Sequence, residues 1–171
     1  MSGVVTDIRV RPARTADIPA IERLVAPLVE SRVLLGKDRV VFYESVQEFR
    51  VAEADGELVG CGALHVMWED LGEIRTLAVA PEHRKSGVGR ALLGQLEADA
   101  RELGLSRLFC LTFETRFFGE NGFTEIGEGI VSPDVYTELL RSTDEGVAEF
   151  LDLARVKPNT LGNTRMLKQL G

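Results

Sequence analysis

The stretch RKSGVGRALL, Arg84 to Leu93, decides the fold. It sets two basic residues and a Gly-x-Gly directly before an apolar pattern with helical spacing. The apolar run LAVA, Leu77 to Ala80, precedes it, so the order reads strand, basic glycine loop, helix. A helix N-terminus offers backbone N–H groups without intrahelical acceptors, together with the positive end of the helix dipole. Gly87 and Gly89 let an anion come close to that backbone, and Arg84 and Lys85 add full charges. A pyrophosphate is the natural guest of such a loop. The spacing then narrows its kind. The nucleotide P-loop, two glycines four residues apart followed by Lys and Ser or Thr, is missing. The Gly-x-Gly-x-x-Gly of dinucleotide folds is missing as well.

The rest of the composition makes this loop stand out. With 171 residues the chain suits one domain with a substantial core. A hydrophobic content of 44% with 27% charged residues is ordinary for a soluble globular protein. The formal net charge of -7 argues against a nucleic-acid or membrane-surface partner. No apolar run approaches the roughly 18–20 residues of a membrane span. The opening MSGVVTDIRVRPAR lacks the apolar core of a signal peptide, so a cytoplasmic location is expected. Cys61 and Cys110 sit in apolar runs and read as buried free thiols. His65 and His83 are the only histidines, so neither a zinc site nor a histidine-based catalytic dyad is expected.

Along the chain, DIRVRPA reads as a strand and TADIPAIERLVAPLVESR as an amphipathic helix that Pro27 should end or kink. A short helix is expected near Tyr43 to Phe49. The stretch RVAEADGELVGCGALHVMW reads as two strands around an Asp55-Gly56 hairpin turn. GEIRTLAVA is a further strand, and GVGRALLGQLEADARELG a strong helix ended by Gly104. LSRLFCLTF is a buried strand, ETRFFGENG a short helix closed by Gly122, and FTEIG a strand. Beyond Ser132 two short helices are expected, starting at Pro133 and near Asp144, and then a polar tail. The order β-α-α-β-β-β-α-β-α-β implies one mixed α/β sheet, a single domain over residues 1–171. Its core spans about 7–127, with a C-terminal extension over about 128–171.

The spacing Arg84-x-x-Gly87-x-Gly89, after a strand ending in AVAPEHR, resembles the acetyl-CoA loop of the GNAT N-acetyltransferase superfamily. That resemblance covers roughly residues 8–126. It implies a mixed, mostly antiparallel sheet with splayed central strands flanked by helices, and acetyl-CoA as co-substrate with no metal. In that layout the backbone of Leu77, Ala78 and Val79 pairs with the pantetheine arm. Arg84, Lys85, Ser86, Gly87, Val88, Gly89 and Arg90 hold the pyrophosphate. Acetylating an amine requires its neutral form, so a general base helps. Strand parity puts Glu73, Arg75, Leu77 and Val79 on one face, which makes Glu73 the candidate base. The superfamily's proton-donating tyrosine falls at Phe118 in FFGENGF, and phenylalanine has no proton to give. Tyr43 and Cys110 are weak substitutes.

A narrower resemblance comes from VRPARTADIPAI, GCGALHV, GEIRTLAV, LTFETRFFGENGF and VKPNTLGNTRML. These stretches look like short stand-alone bacterial amino-acid N-acetyltransferases of the N-acetylglutamate synthase type. The resemblance implies the first step of arginine biosynthesis, acting on glutamate or glutamine, and admits a homodimer. Longer enzymes of this activity carry a kinase-like domain for which this chain has no room. Arginine binds carboxylates bidentately. The acceptor candidates are therefore Arg75, Arg32, Lys37, Arg116, Lys157 and Arg165. Two rivals stay open: acetylation of another small amine or a protein lysine, and a non-catalytic acetyl-CoA sensor.

Overall fold

The computed structural model describes residues 7–34, 36–127, 129–154 and 162–171. Seven strands form one sheet in the order β1-β2-β3-β4-β5-β7-β6. The backbone divides into two compact units, Met1–His65 with Ile74–Leu103, and Val66–Glu73 with Gly104–Gly171.

In the first unit β1 (Ile8–Pro12), β2 (Phe49–Ala54) and β3 (Glu57–Val66) form an antiparallel run. Asp55 and Gly56 both have positive φ, 52° and 79°, as the expected hairpin turn requires. Helix α1 (Ile18–Glu30) follows a 3-10 turn in which Asp17 accepts from the Arg14 N–H at 2.7 Å. Arg11 bridges Asp17 and Glu53 at 2.8 and 2.7 Å and holds the Asp17 carboxyl below its usual value. The stability from that depression is present above the unfolded carboxyl's range and is lost as pH falls through the folded value. Helix α1 runs past Pro27, where an end or kink was expected. It stops in a Schellman turn instead: Arg32 is left-handed (φ 61°), its N–H bonds Val29 O, and Val33 N–H bonds Leu28 O. Helix α2 (Arg39–Glu44) begins earlier than expected, and Phe49 opens β2 rather than closing a helix.

Apolar residues fill both faces of these strands. Ile18, Ile21, Val25, Phe42, Phe49, Val51, Cys61, Ala63 and Ala78 form one cluster. Ala52, Ala54, Val59, Val88 and Leu92 form the other, with Leu77 and Val79 against it. Helix α3 (Val88–Leu103) closes on the second face because β3 offers glycines there. A Cβ on Gly60 would lie 2.8 Å from Val88 Cγ1 and 2.9 Å from Leu92 Cδ1. Arg50 adds a two-pronged bond from β2 to Asp99 of α3, both arms at 2.8 Å.

Strand β4 (Leu71–Val79) gives Leu71–Glu73 to the second unit. Those residues pair in parallel with Arg107–Phe109 of β5 (Arg107–Thr112). Helix α4 (Thr115–Glu120) and the two-residue β6 (Thr124–Glu125) follow as expected, as do α5 (Pro133–Leu139) and α6 (Glu145–Ala154). The tail differs from its expected character as an appendage. Thr164–Gln169 is a strand, β7, lying antiparallel between β5 and β6, so the C-terminal segment is part of the sheet. The core of this unit joins Met67, Leu71, Phe109, Leu139, Val147, Phe150 and Leu151. Phe109 meets Phe150 edge-on at 4.9 Å.

Replacing Gly60 with Val should force α3 away from β3 and lower stability by about 1–3 kcal/mol, the usual cost of overpacking. An unchanged urea midpoint would contradict this close helix-on-strand contact.

Candidate functional site

The basic loop lies wholly in the first unit. Arg84, Lys85, Ser86, Gly87 and Arg90 are exposed, while Val88 is buried beneath them and anchors the loop. Lys85 and Gly87 are both left-handed, at φ 62° and 91°. Turns of this kind draw successive N–H groups into an anion-binding concavity. Ser86 Oγ donates to His83 O, and Ala91 N–H bonds Gly87 O at 3.0 Å, which starts α3. The first N–H groups of this sixteen-residue helix thus precede its i→i−4 ladder. A side chain on Gly87 would meet open space, so its backbone conformation, not crowding, demands glycine. Of the seven loop candidates, Gly87, Val88 and Gly89 have only backbone to offer a ligand.

Strand β4 carries a local irregularity. Thr76 has φ 53°, left-handed in mid-strand, and it is β-branched. Such a conformation costs of the order of 1–3 kcal/mol and persists only when neighbours enforce it. Two hydrogen bonds hold it, and two rings flank the lysine that makes one of them. Lys37 Nζ donates to Thr76 Oγ1 at 3.2 Å, Cys61 Sγ donates to Thr76 O at 3.4 Å, and Lys37 lies 5.9 and 5.7 Å from the Phe42 and Phe49 ring centroids. Past it, Leu77 and Val79 pack toward α3, and Ala78 packs with the α1 and α2 residues. Ala78, at 3% exposure, also has only backbone to offer.

In the second unit one sheet face gathers the remaining chemistry. Register pairs Glu73 with Phe109, Phe109 with Leu167, and Leu111 with Arg165. Glu73 and Arg165 therefore share the face that packs on α6. Glu73 is buried, at 4% exposure. The Arg165 guanidinium lies 5.6 and 5.8 Å from the Phe109 and Phe150 rings, and its Nη1 donates to Gly127 O at 2.9 Å.

Other candidates fall elsewhere. Arg32 is exposed at the end of α1 and serves its turn. Arg116 is 92% exposed and pairs with Glu120 one helical turn on. Arg75 is half-buried on β4. Lys157 lies outside the described residues. Phe118 is buried edge-on between Phe117 and Phe123, a packing role. Tyr43 is exposed on α2. No partner was expected for either histidine, yet His65 Nδ1 lies 2.8 Å from Glu48 Oε1. Regular counting outward from the Asp55-Gly56 turn would not pair them, because the β2–β3 register shifts between Ala52 and Glu53. Among the described residues no acidic, histidine and cysteine cluster could hold a metal, and no helix is long and apolar enough to cross a membrane.

A model of the acetyltransferase (GNAT) family matches residues 25–123. The chain belongs to that family. A Mycobacterium tuberculosis protein named amino-acid acetyltransferase is 56% identical over 161 residues, 92% of either chain. A crystal structure from M. tuberculosis in complex with CoA and NLQ matches with a TM-score of 0.88 at 55% identity, over 94% of this chain and 98% of that one. N-acetylglutamate synthase from Neisseria gonorrhoeae, complexed with coenzyme A and N-acetyl-glutamate, matches with a TM-score of 0.77 at 30% identity. That match covers 96% of this chain and 35% of that one. The mixed, mostly antiparallel sheet expected from the sequence is the fold observed.

Neither thiol of this GNAT chain is poised for chemistry. Burial pushes Cys61 up to about 12, against smaller pulls from Lys37 and the Ala78 backbone. Burial, with the Glu73 carboxylate, also pushes Cys110 well up. A thiol-reactive dye at about pH 8 should label neither cysteine in the native protein and both in denaturant, because the thiolate is the reactive form. Rapid labelling of the native protein would contradict this burial.

Proposed function

We propose that this chain transfers the acetyl group of acetyl-CoA to the α-amine of L-glutamate or L-glutamine. The observation that carries the proposal is the buried Glu73 carboxylate on the same sheet face as the Arg165 guanidinium. The names and ligands of the mycobacterial and gonococcal relatives support the same acceptor class.

The residues fit the donor on their own chemistry. The loop from Arg84 to Arg90 offers exposed cations, a left-handed glycine open to solvent and a helix N-terminus, the set a pyrophosphate needs. Leu77 and Val79 offer backbone to the pantetheine arm. Acetyl-CoA, when bound, supplies a thioester carbonyl open to attack. Glu73 accepts a proton from the acceptor's ammonium, directly or through water, so that the amine lone pair forms the new C–N bond as the C–S bond breaks. Arg165 supplies the positive charge that acceptor carboxylates require. Phe118 has no proton to give, and the departing sulfur takes its proton from solvent.

An amino-acid acetyltransferase of this kind serves arginine biosynthesis in the cytoplasm. A protein lysine or polyamine acceptor would favour an acidic pocket. The cationic candidates speak against both.

Glu73→Gln should lower kcat by about 10²- to 10⁴-fold, with the residual rate rising between about pH 7 and 9 as solvent takes over as base. A pH-independent, undiminished rate would remove Glu73 from that role. Gly87→Val should weaken CoA binding in calorimetry, since valine resists φ near 90°. In a panel of amino acids and polyamines, thiol release from acetyl-CoA is expected with glutamate or glutamine. Release with neither would overturn the proposed acceptor.

A further inference from the structure

Lys37 entered as a cation for the acceptor's carboxylate, but its contacts suit another task. Its ammonium sits on the hydroxyl of Thr76, the one residue of β4 with positive φ. Two aromatic rings, Phe42 and Phe49, flank that ammonium and fix its place. The carbonyl of Thr76 is taken by Cys61 Sγ of β3. Side chain and carbonyl of the strained residue are therefore both held, from two separate elements. Just beyond β4, Ala80 N–H donates to Val59 O of β3 at 2.8 Å. Between Thr76 and Ala80 lies the Leu77–Val79 backbone, with the Leu77 and Val79 side chains toward α3 and Ala78 in the α1 cluster. Threonine has no intrinsic reason to be left-handed, so its partners must impose that state.

We propose that Lys37 is a positioning residue: seated on the Thr76 hydroxyl, it holds β4 in the left-handed kink that presents the Leu77–Val79 backbone to the donor. The proposal rests on acetyl-CoA being that donor. Glycine adopts positive φ without help. Lys37 should therefore matter for donor binding when residue 76 is threonine, and matter little when it is glycine.

The test is a cycle of Lys37→Met, Thr76→Gly and the double variant, with CoA affinity read by calorimetry and KM read separately for acetyl-CoA and the acceptor. Lys37→Met should weaken CoA binding by about tenfold. Thr76→Gly alone should stay within about threefold of the parent, and the double variant should return to that level. Lys37→Arg, which keeps the charge and the donor, should stay near the parent and controls for a folding defect. If Lys37→Met instead raises the acceptor KM, and Thr76→Gly does not relieve it, Lys37 binds the acceptor and the proposal fails. Unchanged CoA affinity in Lys37→Met also overturns it, leaving the donor assignment intact. Absence of CoA binding by the parent protein would overturn the donor assignment and the proposal together.

Discussion

The seating of α3 against β3 is the contact on which the rest of the first unit depends. Gly60 and Gly62 remove the side chains that would hold the helix off, and Val88 and Leu92 drop into the space. Val88 is the first residue of α3 and the fifth of the loop Arg84–Arg90, in which Arg84–Gly87 and Arg90 are exposed. Burying that one side chain fixes where the helix begins, and hence where its unsatisfied N–H groups face solvent. A basic loop without this anchor would carry the same charges but no defined concavity. Packing thus sets the electrostatics, not the reverse.

Strand β4 works by the opposite means. Its course is set by a residue held against its own preference. Around the left-handed Thr76, Leu77 and Val79 enter the α3 cluster and Ala78 fills the core with Phe42 and Phe49. Strain at one residue is what lets the strand fill two cores while leaving part of its backbone to other uses. Such strain is tolerable because the lysine, the thiol and the rings that enforce it are themselves packed.

What the sequence disclosed and what it hid divide along the same lines. The Asp55-Gly56 hairpin, the apolar stripe of α3 and the glycine spacing of the basic loop were legible because each is local: a turn type or a helical period needs only its own residues. The kink at Thr76 was hidden because threonine's propensity argues against it, and the residues that impose it stand thirty-nine and fifteen positions away. Strand β7 was hidden for a different reason. Thr164–Gln169 holds two cations and two polar side chains against Met166 and Leu167, too weak an alternation to signal a strand. It becomes one because β5 and β6 supply its hydrogen bonds and because Arg165 lays its guanidinium over Phe109 and Phe150. The Glu48–His65 pair was hidden by the register shift between Ala52 and Glu53, which no local residue signals.

The chain's net charge of -7 stands against the two anionic substrates proposed for it, and distance resolves the conflict. At physiological ionic strength charges more than about 8 Å apart in solvent are largely screened. The carboxylates spread over the surface therefore act on a bound anion far less than Arg84, Lys85 and Arg90 do from within the loop itself. At the proposed acceptor end the cation is shielded differently: Arg165 lies against aromatic rings and a backbone carbonyl, where low polarity strengthens its pull on a nearby anion. An acidic protein can in this way serve acidic ligands. Its exposed cations are clustered tightly enough to outweigh the average, and its half-buried ones stand where the average does not penetrate.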